Sequence, residues 1–138
     1  MTEAEFRSKH SQLIEYYQYI EFHLKGICAD LLDDGDRRWI DKLDDFDADP
    51  MGKLLVKLKE LQNNRHLSLF SADDFETLNS MRESRNYWVH QCFSGPTPVI
   101  FRKNEVRRPQ FSIRIINDLN QAIDWDQRIT EIGRNIPK

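Results

Sequence analysis

The chain has 138 residues, of which 39% are hydrophobic and 31% charged, a composition typical of one globular domain, and we expect residues 1–138 to form it. No apolar run approaches the ~18 residues of a membrane span. The polar start MTEAEFRSKH also lacks the apolar stretch of a signal peptide, so we expect a cytoplasmic protein.

The net charge of −3 gives no overall basic field, but the charge is unevenly distributed. Nine aspartates lie between Asp30 and Asp49, and five basic residues lie between Arg102 and Arg114 with Glu105 as the one acid among them. Either segment could orient a partner or could be a solvated surface.

The first predicted helix runs from Glu3 to about Leu32, because its apolar residues recur every three or four positions. Asp33–Asp36, which includes Gly35, ends it. The segment Arg37–Phe46 is either a short helix or an ordered loop.

Asp49-Pro50 predicts the start of the second helix, with aspartate capping the free amides and proline at the first helical position; Asn63-Asn64 closes it. Ser71, followed by acids, predicts the start of a third helix that extends to about Phe93.

Ser94–Pro98 is predicted as a loop, Val99–Phe101 is too short to assign, and a fourth helix starts near Pro109. Four amphipathic segments, with a possible short fifth, predict an all-α, up-and-down bundle of four to five helices. Cys28 and Cys92 lie within helical patterns, so we expect reduced core thiols and no disulfide.

The third helix carries the most informative residues. Its predicted apolar face contains Leu78, Met81, Trp88 and Cys92. Arg85 falls in the middle of that face, where a guanidinium is costly unless it is paired or borders a wet cleft or an interface. Asn86 and His90 are four residues apart and share one flank, and Arg82 extends the polar flank by a turn.

Such a cluster has two interpretations. Arg, Asn and His can join neighbouring helices through hydrogen bonds. Alternatively, His90 could remove a proton from a ribose 2′-hydroxyl while Arg85 stabilises the charge that develops on the phosphate oxygens. Asn86 would then orient the imidazole or the substrate, and the product would be a 2′,3′-cyclic phosphate.

The pattern Arg85-Asn86-x-x-x-His90, late on a long helix of a small bundle, resembles the HEPN superfamily. The signature of that superfamily is Arg-x4–6-His, very often with a polar residue directly after the arginine, and Asn86 occupies that position here. The predicted order of helices also fits. The resemblance covers most of the chain as architecture and about ten residues, Met81–His90, as motif.

The resemblance implies that Arg85 and His90 are the catalytic pair of a metal-independent endoribonuclease, with Asn86 in support. It implies a homodimer whose motif helices meet across a cleft, which would explain an arginine on an apolar face. Many members are toxins of toxin–antitoxin or phage-defence systems and act with an antitoxin protein, whereas others bind RNA or proteins without catalysis.

This sequence departs from the superfamily at one position. A tyrosine that is the modification target in one subgroup commonly stands two residues after the histidine, where this chain has Cys92. This chain therefore lacks the modification target of that subgroup at this position.

The basic stretch Arg102, Lys103, Arg107 and Arg108, together with Arg82, is the candidate RNA-binding surface, and its alternative is an exposed charged loop. The aromatic residues Tyr16, Tyr17, Tyr19, Trp39 and Trp125 are expected in the core or at an interface rather than under RNA bases.

We expect no metal or other cofactor. Asp45-Phe-Asp47-Ala-Asp49 begins like a calcium-binding loop, but Pro50 replaces the required glycine and Val56 stands at the twelfth position. The four histidines show no ligand spacing with one another, and there is no Cys-x-x-Cys.

Overall fold

The computed structural model describes residues 1–33, 35–92 and 108–137, and for residues 91, 108 and 109 the backbone alone. The α-helices are α1 (Glu3–Leu31), α2 (Trp39–Asp44), α3 (Met51–Asn64), α4 (Ala72–Asn86) and α5 (Arg108–Arg134). A π-helical turn, Tyr87–Gln91, directly follows α4. The predicted loop Ser94–Pro98, the segment Val99–Phe101 and the predicted helix end at Phe93 lie outside the described residues.

The pairings between helices give their directions. His23 of α1 bonds to Asp126 of α5, and Ile27 lies beside Gly133, so α1 and α5 run the same way. Asp74 at the start of α4 meets Arg128, and Trp88 at its end meets Asp118, so α4 runs opposite to α5.

α3 and α4 form an antiparallel pair, since Gly52 near the start of α3 lies against Arg82 near the end of α4. The long helices form the predicted all-α bundle, with α1 and α5 in the most extensive contact. The predicted up-and-down order is wrong, because α1, α3 and α5 run the same way and α4 alone of the long described helices runs opposite. Lys25 of α1 bonds to the carbonyl of Asp47, so the segment that contains α2 brings the chain back along α1 before α3 begins. The core of the bundle contains residues that are at most 2% exposed: Phe6, Leu13, Ile20, Leu24, Leu54, Leu58, Leu78, Met81, Trp88, Ile115, Ala122 and Ile129.

The two predicted helix starts have different outcomes. Ser71 caps α4 as expected, in a reciprocal pair with Asp74. The prediction for α3 is wrong: Pro50 is the N-cap, and among the described residues no side chain caps it. Asp49 instead accepts a 2.6 Å hydrogen bond from Lys57, because an ammonium group is a stronger partner than a neutral amide.

The aromatic residues divide between core and surface. Tyr17 and Trp125 are buried and Tyr16 is half-buried, as expected, whereas Tyr19 and Trp39 are exposed.

Cys28 and Cys92 are buried thiols, as predicted. Burial raises the pKa of Cys28 from 9.0 to about 12 and that of Cys92 to about 11. Above pH 9 the unfolded chain therefore binds fewer protons than the folded one, so stability should fall as the pH rises from 9 towards 12.

We expect both thiols to react with an aromatic disulfide reagent at pH 8 at least ~10-fold more slowly in the folded protein than in urea. The absorbance of the released thiolate measures both rates. Equal rates in the two conditions would contradict the burial of these thiols.

Candidate functional site

The helix that carries Arg85 and His90 changes from α-helical to π-helical winding after Asn86. The amide of Cys92 donates to the carbonyl of Tyr87, five residues back, at 3.0 Å. The carbonyl of Trp88 instead lies 2.7 Å from Nε2 of His10 on α1. A carbonyl can only accept, so this contact requires a proton on Nε2 of His10. The first half of α1 therefore holds the π-helical turn Tyr87–Gln91, the wide turn, in place.

This wide turn alters the relation between Arg85 and His90. On a regular α-helix with 3.6 residues per turn, residues five apart point about 140° away from each other. A π-helical turn contains more residues than an α-helical turn, so the rotation per residue is smaller than the ~100° of an α-helix. His90 therefore lies closer to the Arg85 side of the helix than it would on a regular α-helix, and its side chain is exposed.

The environment of Arg85 differs in part from the predicted one. Leu78, Met81, Trp88 and Cys92 are buried as predicted. The Arg85 side chain, however, is 29% exposed, and its Nη2 lies 3.4 Å from Oε2 of Glu21 on α1. Glu21 is 16% exposed, so the pair is partly shielded and offsets much of the cost of placing a guanidinium beside the core.

Arg85 and Asn86 line a groove of about 250 Å³ between α4 and α3. Arg82 lines the same groove, opposite the segment Pro50–Lys53 at the start of α3. The structure thus brings together three of the predicted site residues, and His90, which follows on the wide turn, does not line this groove.

A second set of contacts fixes the wide turn from the side of α5. Nε1 of Trp88 donates a 2.7 Å hydrogen bond to Asp118, and Trp88 is fully buried. The guanidinium of Arg114 lies 4.1 Å from the ring centroid of Tyr87, and its Nε is 3.7 Å from Asp118. Arg114, although it closes the basic stretch of the sequence, is packed against this turn.

Sequence reasoning missed Glu21, His10 and Asp118. Each lies 30 or more residues along the chain from its partner, and the periodicity that placed the helices carries no signal for such pairs. Arg114 and Asp118 are four apart on α5, which was a usable signal for an ion pair.

The rest of the candidate RNA-binding surface is largely outside the structure. Arg102, Lys103 and Arg107 lie outside the described residues, and Arg108 is the first residue of α5, described by its backbone alone. Arg82 is the member of this set whose side chain is described.

No family model, curated protein or solved structure matches the chain. Within residues 1–33, 35–92 and 108–137, no helix combines the length and the hydropathy that a membrane crossing requires. In the same ranges, no three His, Cys, Asp or Glu side chains come together as a metal site would require.

Proposed function

We propose that this protein is a metal-independent endoribonuclease of the HEPN type, in which His90 acts as general acid and base and Arg85 stabilises the phosphate. The observation that carries the proposal is the wide turn, which shifts an exposed His90 towards the side of a partly exposed Arg85. A π-helical turn inside an α-helix is rare and is found frequently at functional sites.

The chemistry needs two roles from these residues. The imidazole of His90 takes the proton of a ribose 2′-hydroxyl, and that oxygen attacks the adjacent phosphorus. The bond to the 5′-oxygen breaks, that oxygen takes up a proton, and a 2′,3′-cyclic phosphate remains. Arg85 donates hydrogen bonds to the phosphate oxygens as negative charge builds on them.

Glu21 acts as a positioning residue for Arg85 in this proposal. Its carboxylate holds one end of the guanidinium at 3.4 Å, which leaves other N–H groups of the guanidinium to face the groove. Asn86, exposed at the end of α4, is available to orient the substrate.

The proposal includes a cytoplasmic homodimer that acts in a toxin–antitoxin or phage-defence system and is restrained by an antitoxin protein. Val89, next to His90, is 43% exposed and offers an apolar contact for a second copy of the motif helix. The alternative is a non-catalytic RNA- or protein-binding module of the same fold.

The test is incubation of the purified chain with total RNA in the presence of a metal chelator. We expect fragments to accumulate. An Arg85→Ala/His90→Ala double variant, purified in the same way, controls for contaminating nucleases and should leave the RNA intact. RNA that stays intact with the wild-type protein, or is cut equally by both proteins, would support the non-catalytic alternative.

A further inference from the structure

The groove between α3 and α4 contains the guanidinium of Arg82, which lacks one of its hydrogen-bond partners among the described residues. Nε of Arg82 is buried, and among the described residues it has no hydrogen-bond partner. Arg82 Nη1 lies so close to α3 that a Cβ at Gly52 would be 2.6 Å from it. The absence of a side chain at Gly52 is what permits this approach.

Arg82 faces the positive end of a helix. Met51, Gly52 and Lys53 form the first turn of α3, where amides lack helical partners and the helix dipole is positive. In the described part of the chain, no side chain caps this turn. An anion between the guanidinium and this end of the helix would be attracted by both.

The other cations of the groove have acidic partners. Arg85 pairs with Glu21, and Lys53 lies 3.5 Å from Asp49. For Arg82, by contrast, the buried Nε has no hydrogen-bond partner among the described residues. The groove therefore combines a guanidinium that has an unpartnered N–H among the described residues with a turn of amides, and both can donate hydrogen bonds to an oxyanion.

We infer that this groove binds a phosphoryl group between the Arg82 guanidinium and the first-turn amides of α3. Its volume of about 250 Å³ suits a group of that size. Arg85 and Asn86 line the same groove, so the bound group would be an RNA backbone phosphate adjacent to the bond that is cut. This last step rests on the proposed function, whereas binding of a phosphoryl group does not.

The test is a ³¹P NMR titration of the full chain with inorganic phosphate in a chloride buffer of constant ionic strength. Arg82→Ala should weaken binding about 10-fold, because a charge-assisted contact is lost. Lys59→Ala removes an exposed charge from α3 away from the groove and should change the affinity less than about 2-fold.

Gly52→Ala provides a second variant that does not depend on removing charge. The new Cβ should displace the flexible end of Arg82 and weaken phosphate binding. The melting temperature should stay the same or rise, because alanine favours a helix more than glycine. This variant separates loss of the site from loss of the fold.

The outcomes test the site, the source of the phosphate and the proposed activity separately. A phosphate resonance that is the same with the protein as in buffer alone, or equal losses of phosphate affinity in Arg82→Ala and Lys59→Ala, would overturn the site.

A 2′-O-methyl RNA, which cannot be cut through its 2′-oxygen, should also bind more weakly to Arg82→Ala if an RNA backbone is the source of the phosphate. If that RNA binds both proteins equally while inorganic phosphate does not, a free phosphate compound occupies the groove. Failure of RNA cleavage with intact phosphate binding would count against the proposed activity alone.

Discussion

His90→Ala is expected to lower the rate of RNA cleavage by about 10²- to 10⁴-fold, the usual contribution of a general acid–base group. The melting temperature should stay nearly unchanged, because the side chain of His90 is exposed on the wide turn. Single-turnover cleavage of a short RNA in chelator measures the rate, and thermal unfolding checks the fold.

The matched control is His66→Asn. His66 is also exposed, and its φ of 55° lies in the left-handed region, which asparagine tolerates better than alanine. This variant should cleave RNA at the wild-type rate. Equal activity of wild type, His90→Ala and His66→Asn would remove His90 from the mechanism.

Trp88→Ala is expected to destabilise the fold by about 3–5 kcal/mol, the usual cost of deleting a large buried aromatic side chain. Trp88 is fully buried, packs against Phe6, and donates a hydrogen bond to Asp118. Its carbonyl also accepts from His10, so loss of the indole should loosen the wide turn as well. Equilibrium unfolding in urea measures the change in the free energy of unfolding.

Trp39→Ala is the matched control for that measurement. Trp39 is 44% exposed on the short helix α2, and its removal should cost less than about 1 kcal/mol. Comparable losses for the two tryptophans would contradict the assignment of Trp88 to the centre of the bundle.

Much of the helical architecture could be predicted because it follows from local patterns. The apolar stripe of α1 and the Ser71–Asp74 cap of α4 require only neighbouring residues, and both appear as expected. The cap of α3 failed because Asp49 has a distant competitor, Lys57, which the dipeptide Asp49-Pro50 does not reveal.

The geometry of the candidate site was less predictable. In the wide turn the amide of Cys92 bonds to Tyr87, and the carbonyl of Trp88 is paired instead with His10, 78 residues away. The sequence indicated that Arg85 needed either an acidic partner or exposure to solvent. The structure gives it both, because Glu21 is its partner and the groove leaves it partly exposed. Helical periodicity could flag the problem but could not identify Glu21 as its solution.

The chemistry at the ends of the RNA fragments tests the proposed activity most directly. Attack by a ribose 2′-oxygen without a metal predicts 2′,3′-cyclic phosphate and 5′-hydroxyl ends, in chelator, from wild-type protein. A 2′-O-methyl group at the cut position should abolish cleavage at that bond. Fragments with 3′-hydroxyl ends, or cleavage next to the 2′-O-methyl group, would contradict the roles proposed for His90 and Arg85.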